Sequence, residues 1–246
     1  MKKYLSVFEM ITRSTLYKVL IVIILMVAVQ LSMFWAELNE AISRASDKIS
    51  MGMELIVDES YIVVPLAIGF VFITIILCWC GCNIGSNQGY TLRRLQIPEW
   101  AVFGLQALYN CLCYVLLWTS QVAVTVGISS LYVQHATELT NQSIVLAYYK
   151  NSYMHNVLPM GDILGWALLV CLILASGVAS AAFPVQQRRG KIGFSILVTV
   201  AVAIMSFPNR LDSEYTLVVA CPLFIVTMVV ALYGATEGIK EEQEDE

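Results

Sequence analysis

Long apolar runs alternate with short polar stretches along the 246 residues. They predict transmembrane helices at about 19–36, 60–82, 103–131, 159–183, 192–207 and 215–233. Val19 to Ala36 holds 18 residues without a charge. At ~1.5 Å per residue that crosses most of a ~30 Å hydrocarbon core. The fifth run, Ile192 to Phe207, is short at 16 residues. Pro65 lies inside the second run and is expected to kink it. Pro159 suits the first turn of the fourth. Within that fourth run, Ala175, Ser176, Gly177, Val178, Ala179, Ser180, Ala181 and Ala182 set small residues at four-residue spacing. Such a surface lets a neighbouring helix come close.

The polar stretches carry their own periods. In residues 1–18, Tyr4, Leu5, Phe8, Ile11 and Thr15 recur at roughly helical spacing beside Lys2, Lys3, Arg13 and Lys18. This predicts an amphipathic helix in the membrane interface. A signal peptide is the alternative, and the long positive region and the lack of a small-x-small site after the apolar run weigh against it. Leu38, Ile42, Ala45, Ile49, Gly52 and Ile56 step by 4, 3, 4, 3 and 4. That is a helical stripe: either the first helix continues out of the bilayer or a short second helix packs on its rim. Tyr132 to Leu158 reads as a loop holding both histidines, His135 and His155. Pro184 to Lys191 reads as a short basic loop and Pro208 to Glu214 as a turn. Residues 234–246 read as a solvated acidic tail. The fold class is therefore all-α: one transmembrane domain, 1–246, of six membrane helices behind an N-terminal interfacial helix.

Composition agrees. The chain is 59% hydrophobic and 13% charged, against about 25% charge in a soluble domain. Basic residues set the orientation. With the N-terminus inside, the cytoplasmic side collects Lys2, Lys3, Arg13, Lys18, Arg93, Arg94, Arg188, Arg189, Lys191 and Lys240, and the outside keeps Arg44, Lys48, Lys150 and Arg210. An excess of inside Lys and Arg is the expected bias, and an even number of spans puts both termini inside. Trp35, Trp100 and Tyr132 suit interface anchors. No basic segment interleaved with aromatics points to nucleic acid.

The apolar runs contain no Asp, Glu, Lys, Arg or His away from their ends. Each such charge costs ~2.5–3.5 kcal/mol at mid-bilayer and persists where function requires it. An ion- or proton-coupled transporter usually needs one, so transport by this chain must draw energy from elsewhere. No phosphate loop occurs: Gly190-Lys191 is followed by Ile192, with Val185 where the first glycine should stand. H-E-x-x-H and G-x-S-x-G are absent too, so catalytic residues are not expected. The seven cysteines lie in or at the ends of apolar runs, where a disulfide framework is not expected. Cys78, Cys80 and Cys82 could bind a soft metal, but on a helix only Cys78 and Cys82 share a face. Small apolar packing is the simpler reading, and no metal is expected. Asn141-Gln142-Ser143 is a glycosylation-type triplet of a length that arises by chance. Gln30, Ser32, Asn110, Thr119, Gln121 and Thr125 are polar residues inside spans. They either line a path for an amphipathic substrate or hydrogen-bond between helices.

One polar island separates two long uncharged runs: Gly85 to Trp100. Gly89 permits a sharp turn, Thr91 can cap a helix, and Pro98 closes it. Leu92 and Leu95 share a face beside Arg93, Arg94 and Gln96. These residues suit a small docking helix. At Gly89, Thr91, Leu92, Arg93, Arg94, Leu95 and Pro98 the chain resembles the six-span permease subunits of bacterial type-2 ABC exporters. In that family an interfacial helix leads into the first span, and such a segment between spans two and three is the coupling helix that docks on the ATPase. The chain departs from the pattern at Asn83, Asn87 and Gln88, where acidic residues are common upstream, and at Glu99-Trp100 after the proline. Pro208 to Glu214 is too short for the re-entrant hairpin of many members. In this it is similar to the compact peptide exporters, such as the phenol-soluble modulin exporter permeases.

The resemblance implies a permease in the bacterial cell membrane, coupled to two copies of a cytoplasmic ABC ATPase subunit and paired with a second permease chain. ATP and magnesium would sit on the ATPase, with no cofactor on this chain. The substrate would be an amphipathic peptide or similar hydrophobic molecule. A non-transporting membrane anchor or assembly subunit, and a self-immunity permease for a peptide antibiotic, are the alternatives.

Overall fold

No glycine or proline interrupts residues 2–44. In a computed structural model, which describes residues 2–44, 52–79, 98–135, 140–187, 193–206 and 214–244, this stretch is one helix, α1 (Lys2–Arg44). The break expected near residue 18 between an interfacial helix and the first span is not seen. Within α1 the bilayer-length apolar part is Thr12–Ser43. The helix runs on past the apolar run, as one reading of the 38–56 stripe required, and Leu38 on that stripe is fully buried.

The other reading of the stripe also holds. A short helix, α2 (Met53–Glu59), buries Met53, Ile56 and Val57. It is bent by 54° from α3 (Val63–Trp79). The bend corrects the expectation for Pro65. The break lies at Ser60–Ile62, where Tyr61 has φ +48°, a strained value for an aromatic residue. Pro65 stands at the third position of α3, where its missing N–H interrupts no helical bond.

Helix α4 (Glu99–His135) follows and is longer than its apolar run. The loop expected over 132–158 is largely helical: α4 ends at His135, and α5 (Thr140–Lys150) and α6 (Ser152–Val157) come next. Asn151 starts α6, its Oδ1 accepting from Met154 N at 3.1 Å. Its Nδ2 donates to Asp58 Oδ1 at 2.7 Å and to the Glu54 carbonyl at 3.4 Å. The same residue thus caps α6 and ties it to α2. Helices α2, α5 and α6 form a small cap on one end of the bundle.

Helix α7 (Ile163–Gln187) begins later and ends later than expected. Pro159 precedes it by a turn. Gly161 reverses the chain at φ +81°, and Asp162 caps the helix, its Oδ1 accepting from Leu164 N at 2.9 Å. Pro184 does not open a loop. It is buried inside the last turns of α7. Helix α8 (Phe194–Ser206) has 13 residues, about 20 Å. Helix α9 (Glu214–Glu244) contains Pro222 and absorbs most of the expected tail, with Ala235 buried.

Every element among the described residues is a helix. Four are long and apolar enough to cross a membrane, five if α2 and α3 count as one bent span, and α8 is a shorter apolar helix. Apolar side chains such as Ile21, Ile24, Leu25, Phe72, Leu108, Leu112, Val226 and Val230 point outward. A soluble chain would hide such a belt; it is what a multi-pass membrane protein presents to lipid.

Helix α7 is the centre of the bundle and packs most extensively on α9 and α4. The small-residue stripe faces these neighbours: Ala175, Ala179, Ala181 and Ala182 are fully buried. A Cβ added at Gly177 would meet the Cys111 backbone nitrogen at 3.1 Å. The close approach expected from the sequence is therefore present, at the α4–α7 crossing.

Candidate functional site

Two polar features lie inside this apolar bundle. The first is a pin near the cap. Gln30 of α1 is completely buried. Its Nε2 donates to Gln121 Oε1 of α4 at 3.0 Å and to the Ile62 carbonyl, at the α2–α3 break, at 3.2 Å. Gln121 Nε2 returns a bond to Gln30 Oε1 at 3.2 Å. The Tyr153 hydroxyl of α6 donates to Gln121 Oε1 at 2.9 Å. Burial, with the Tyr148 hydroxyl nearby, raises the Tyr153 pKa, so the phenol stays protonated and remains a donor. Two carboxamides and one phenol thus join α1, α4, the break and the cap.

The second feature is a crevice. Helices α3 and α8 both lean on α7 but have little direct contact with each other. Between them a cavity of about 50 Å³ is lined by Leu66, Phe70, Leu117, Leu172, Ser176 and Ala203, among others, with Tyr114, Trp118 and Gln121 along α4. A second cavity, of about 30 Å³, lies toward the cap and shares Leu169, Leu172 and Ala203 with the first. It ends at His155, Asn156 and Asp162. His155 Nε2 stands 3.9 Å from Asp162 Oδ2, and His155 Nδ1 is buried without a hydrogen-bond partner. Trp118 Nε1 donates to the Val157 carbonyl at 3.0 Å and holds α6 over the crevice.

The six residues expected along a polar path separate into different environments. Gln30 and Gln121 form the pin. Asn110 lies toward the other end, its amide 2.8 Å from the Ser180 hydroxyl of α7. These three carry the interhelical reading. Thr125 is buried and bonds the Val122 carbonyl of its own helix at 2.8 Å. Ser32 and Thr119 are exposed and bond Val29 and Leu116 carbonyls one turn back. Of the six, only Gln121 lines the crevice.

The expected docking residues Gly89, Thr91, Leu92, Arg93, Arg94, Leu95 and Gln96 lie outside the described residues, as do Cys80 and Cys82. Pro98 is described and stands immediately before α4, its carbonyl accepting from Ala101 N at 2.9 Å. The ends that flank the segment can be located. Thr15 bonds Tyr109 at 2.8 Å, Asn110 bonds Ser180, and Gly234 packs against Gln186. The early turns of α1 and α4, the late turns of α7 and the middle of α9 therefore share one end of the bundle. The pin and the cap are at the other. Antiparallel α3 and α4 therefore end and begin, at Trp79 and Glu99, on the uncapped side.

Tyr153, Asn151 and Asp162 did not stand out in the sequence, and Ser176 was marked only as a small residue of the packing stripe. Asn151 and Tyr153 fall in the stretch 132–158 that reads as a loop, and the structure shows Tyr153, Met154 and Val157 buried on a short helix there. Comparison of the chain with protein-family models, with curated proteins and with solved structures finds no match.

Proposed function

We propose that the chain is the transmembrane permease subunit of an ATP-driven exporter. Two permease chains, of one or two kinds, work with two separate cytoplasmic ATPase chains. The chain crosses the cell membrane six times, α8 serving as a short fifth span, with both termini inside. The substrate is an amphipathic peptide or a molecule of similar character. One observation carries the reading. In sequence the stretch Gly89 to Pro98 resembles a coupling helix, and α3, which precedes it, ends at the end of the bundle opposite the cap, where α4 begins and the early turns of α1 lie. Absence of mid-span charge in the sequence supports an external energy source. ATP binding draws the ATPases together, the segment around Thr91 to Gln96 passes the movement to α3 and α4, and the permease halves rock.

The test is a charge reversal. Arg93→Glu with Arg94→Glu is expected to abolish co-purification of the partner ATPase and stimulation of its ATP hydrolysis. The folded permease should still be recovered from membranes. Unchanged co-purification and unchanged hydrolysis would remove the docking role.

A further inference from the structure

Closing the seam where α6 and α4 face α7 leaves two polar atoms unmet. Among the described residues, His155 Nδ1 of α6 and Ser176 Oγ of α7 are buried without a hydrogen-bond partner. His155 walls the smaller cavity of the seam and Ser176 the larger. A buried polar atom without a partner has given up water for nothing, and water admitted to the seam would satisfy both. The two ends of the seam are also fastened unequally. Toward the uncapped end, the Asn110 amide meets the Ser180 hydroxyl at 2.8 Å, and the α4 backbone lies against Gly177. Toward the cap, His155 Nε2 stands 3.9 Å from Asp162 Oδ2, longer than a hydrogen bond. The rings of Trp118 and Trp166 meet there edge to face, with centroids 5.9 Å apart. The cap itself is tied to α4, through Tyr153 on Gln121 and Trp118 on the Val157 carbonyl. Helix α6 roofs both cavities, with His155 and Asn156 over one and Val157 over the other. The cavities are separate, yet Leu169, Leu172 and Ala203 wall both. The chain passes from α6 to α7 through Gly161 at φ +81°, where glycine leaves the backbone free to turn.

We propose that the seam between α6 and α7 is a gate at the capped end of the bundle. The first turns of α7, from Asp162 to Leu172, swing away from α6 about the Gly177–Cys111 crossing, with Gly161 as the hinge. Helices α8 and α9, which pack on α7, are carried along. The swing joins the two cavities and lets water reach His155 Nδ1 and Ser176 Oγ. Closed, the seam excludes water, and the unmet atoms keep the closed state close in energy to the open one. The gate rests on contacts within this chain and not on coupling to an ATPase, so it stands or falls separately from the exporter reading.

The experiment uses the full chain in lipid nanodiscs. Leu169 is buried in the closed seam and walls both cavities. Leu169→Cys is treated with a charged methanethiosulfonate that does not cross lipid, and each thiol is followed by mass spectrometry of its peptide. Native Cys113, buried on α4 and not a wall of either cavity, is the internal control. Local opening exposes one thiol and not the other, so the introduced thiol is expected to react about tenfold faster than Cys113. Adding Ser176→Ala removes one unmet atom from the closed state and is expected to slow the introduced thiol about threefold, with Cys113 unchanged. Leu172→Cys is the second reporter should the first variant not fold. Rates that do not differ between the introduced thiol and Cys113, whether both are slow or both fast, overturn the gate. An unchanged rate on adding Ser176→Ala overturns the role given to the unmet atoms.

Discussion

Toward α4, helix α7 presents Gly177 and Ser180. The two backbones meet so closely there that a single added methyl group would collide with Cys111. Toward α3 and α8 the same helix presents Leu169, Leu172 and Ser176, and a crevice remains. The residues differ by one position, Ser176 against Gly177, but the neighbours differ more. Helix α4 is long and runs beside α7 with small or polar residues at the crossing. Helix α8 is only 13 residues and does not reach α3 along its length. In an apolar medium nothing expels solvent from a gap, so close packing requires matched shapes, and gaps persist where shapes do not match. The sealed face holds the bundle together, and the open face leaves two small cavities.

The largest expected way to break this contrast is Gly177→Leu. It wedges α4 from α7, and overpacking of this kind costs about 1–3 kcal/mol or more. Thermal unfolding of the purified chain in detergent should fall by more than for any other substitution named here. A melting temperature equal to the parent chain would mean that the two helices are not in register as described.

Next in size is Gln121→Leu. It removes the hub of the pin and leaves Gln30 and Tyr153 buried with donors unmet, a loss of about 1–3 kcal/mol. Thr119→Val, two residues away on the exposed surface, is the control and should stay within about 0.5 kcal/mol. If the two variants unfold alike, the pin contributes nothing. The smallest effect is expected from Ser176→Ala. Its hydroxyl is buried and bonds nothing among the described residues, so its removal should leave stability unchanged or slightly raised. A clear loss would show that the hydroxyl has a partner and that the crevice is closed there.

Much of this arrangement was legible beforehand. Run length and the absence of interior charge gave helices and a membrane environment. The Ala175–Ala182 stripe gave a close crossing, and Gln30, Asn110 and Gln121 were marked as polar groups needing partners. Residues 132–158 were not legible, because α5 and α6 are short, at 11 and 6 residues, and polar and apolar residues mix along them without a clean helical stripe. Their helical state comes from packing on α2 and from the Asn151 cap rather than from a strong apolar period. Pro65 and Pro184 misled for a shared reason. Proline interrupts a helix by the bond it removes. At the start of α3 no bond is lost, and in α7 the surrounding contacts hold the buried turn in place.

The sequence by itself determined that this chain is helical, lipid-facing and without charge at mid-span, because hydrophobicity and its period are properties of single segments. Which polar side chains meet, and where a gap remains, was decided only by tertiary structure. Gln30 and Gln121 are 91 residues apart. Their pairing, like the crevice beside α7, depends on the crossing and relative length of helices that no local pattern specifies.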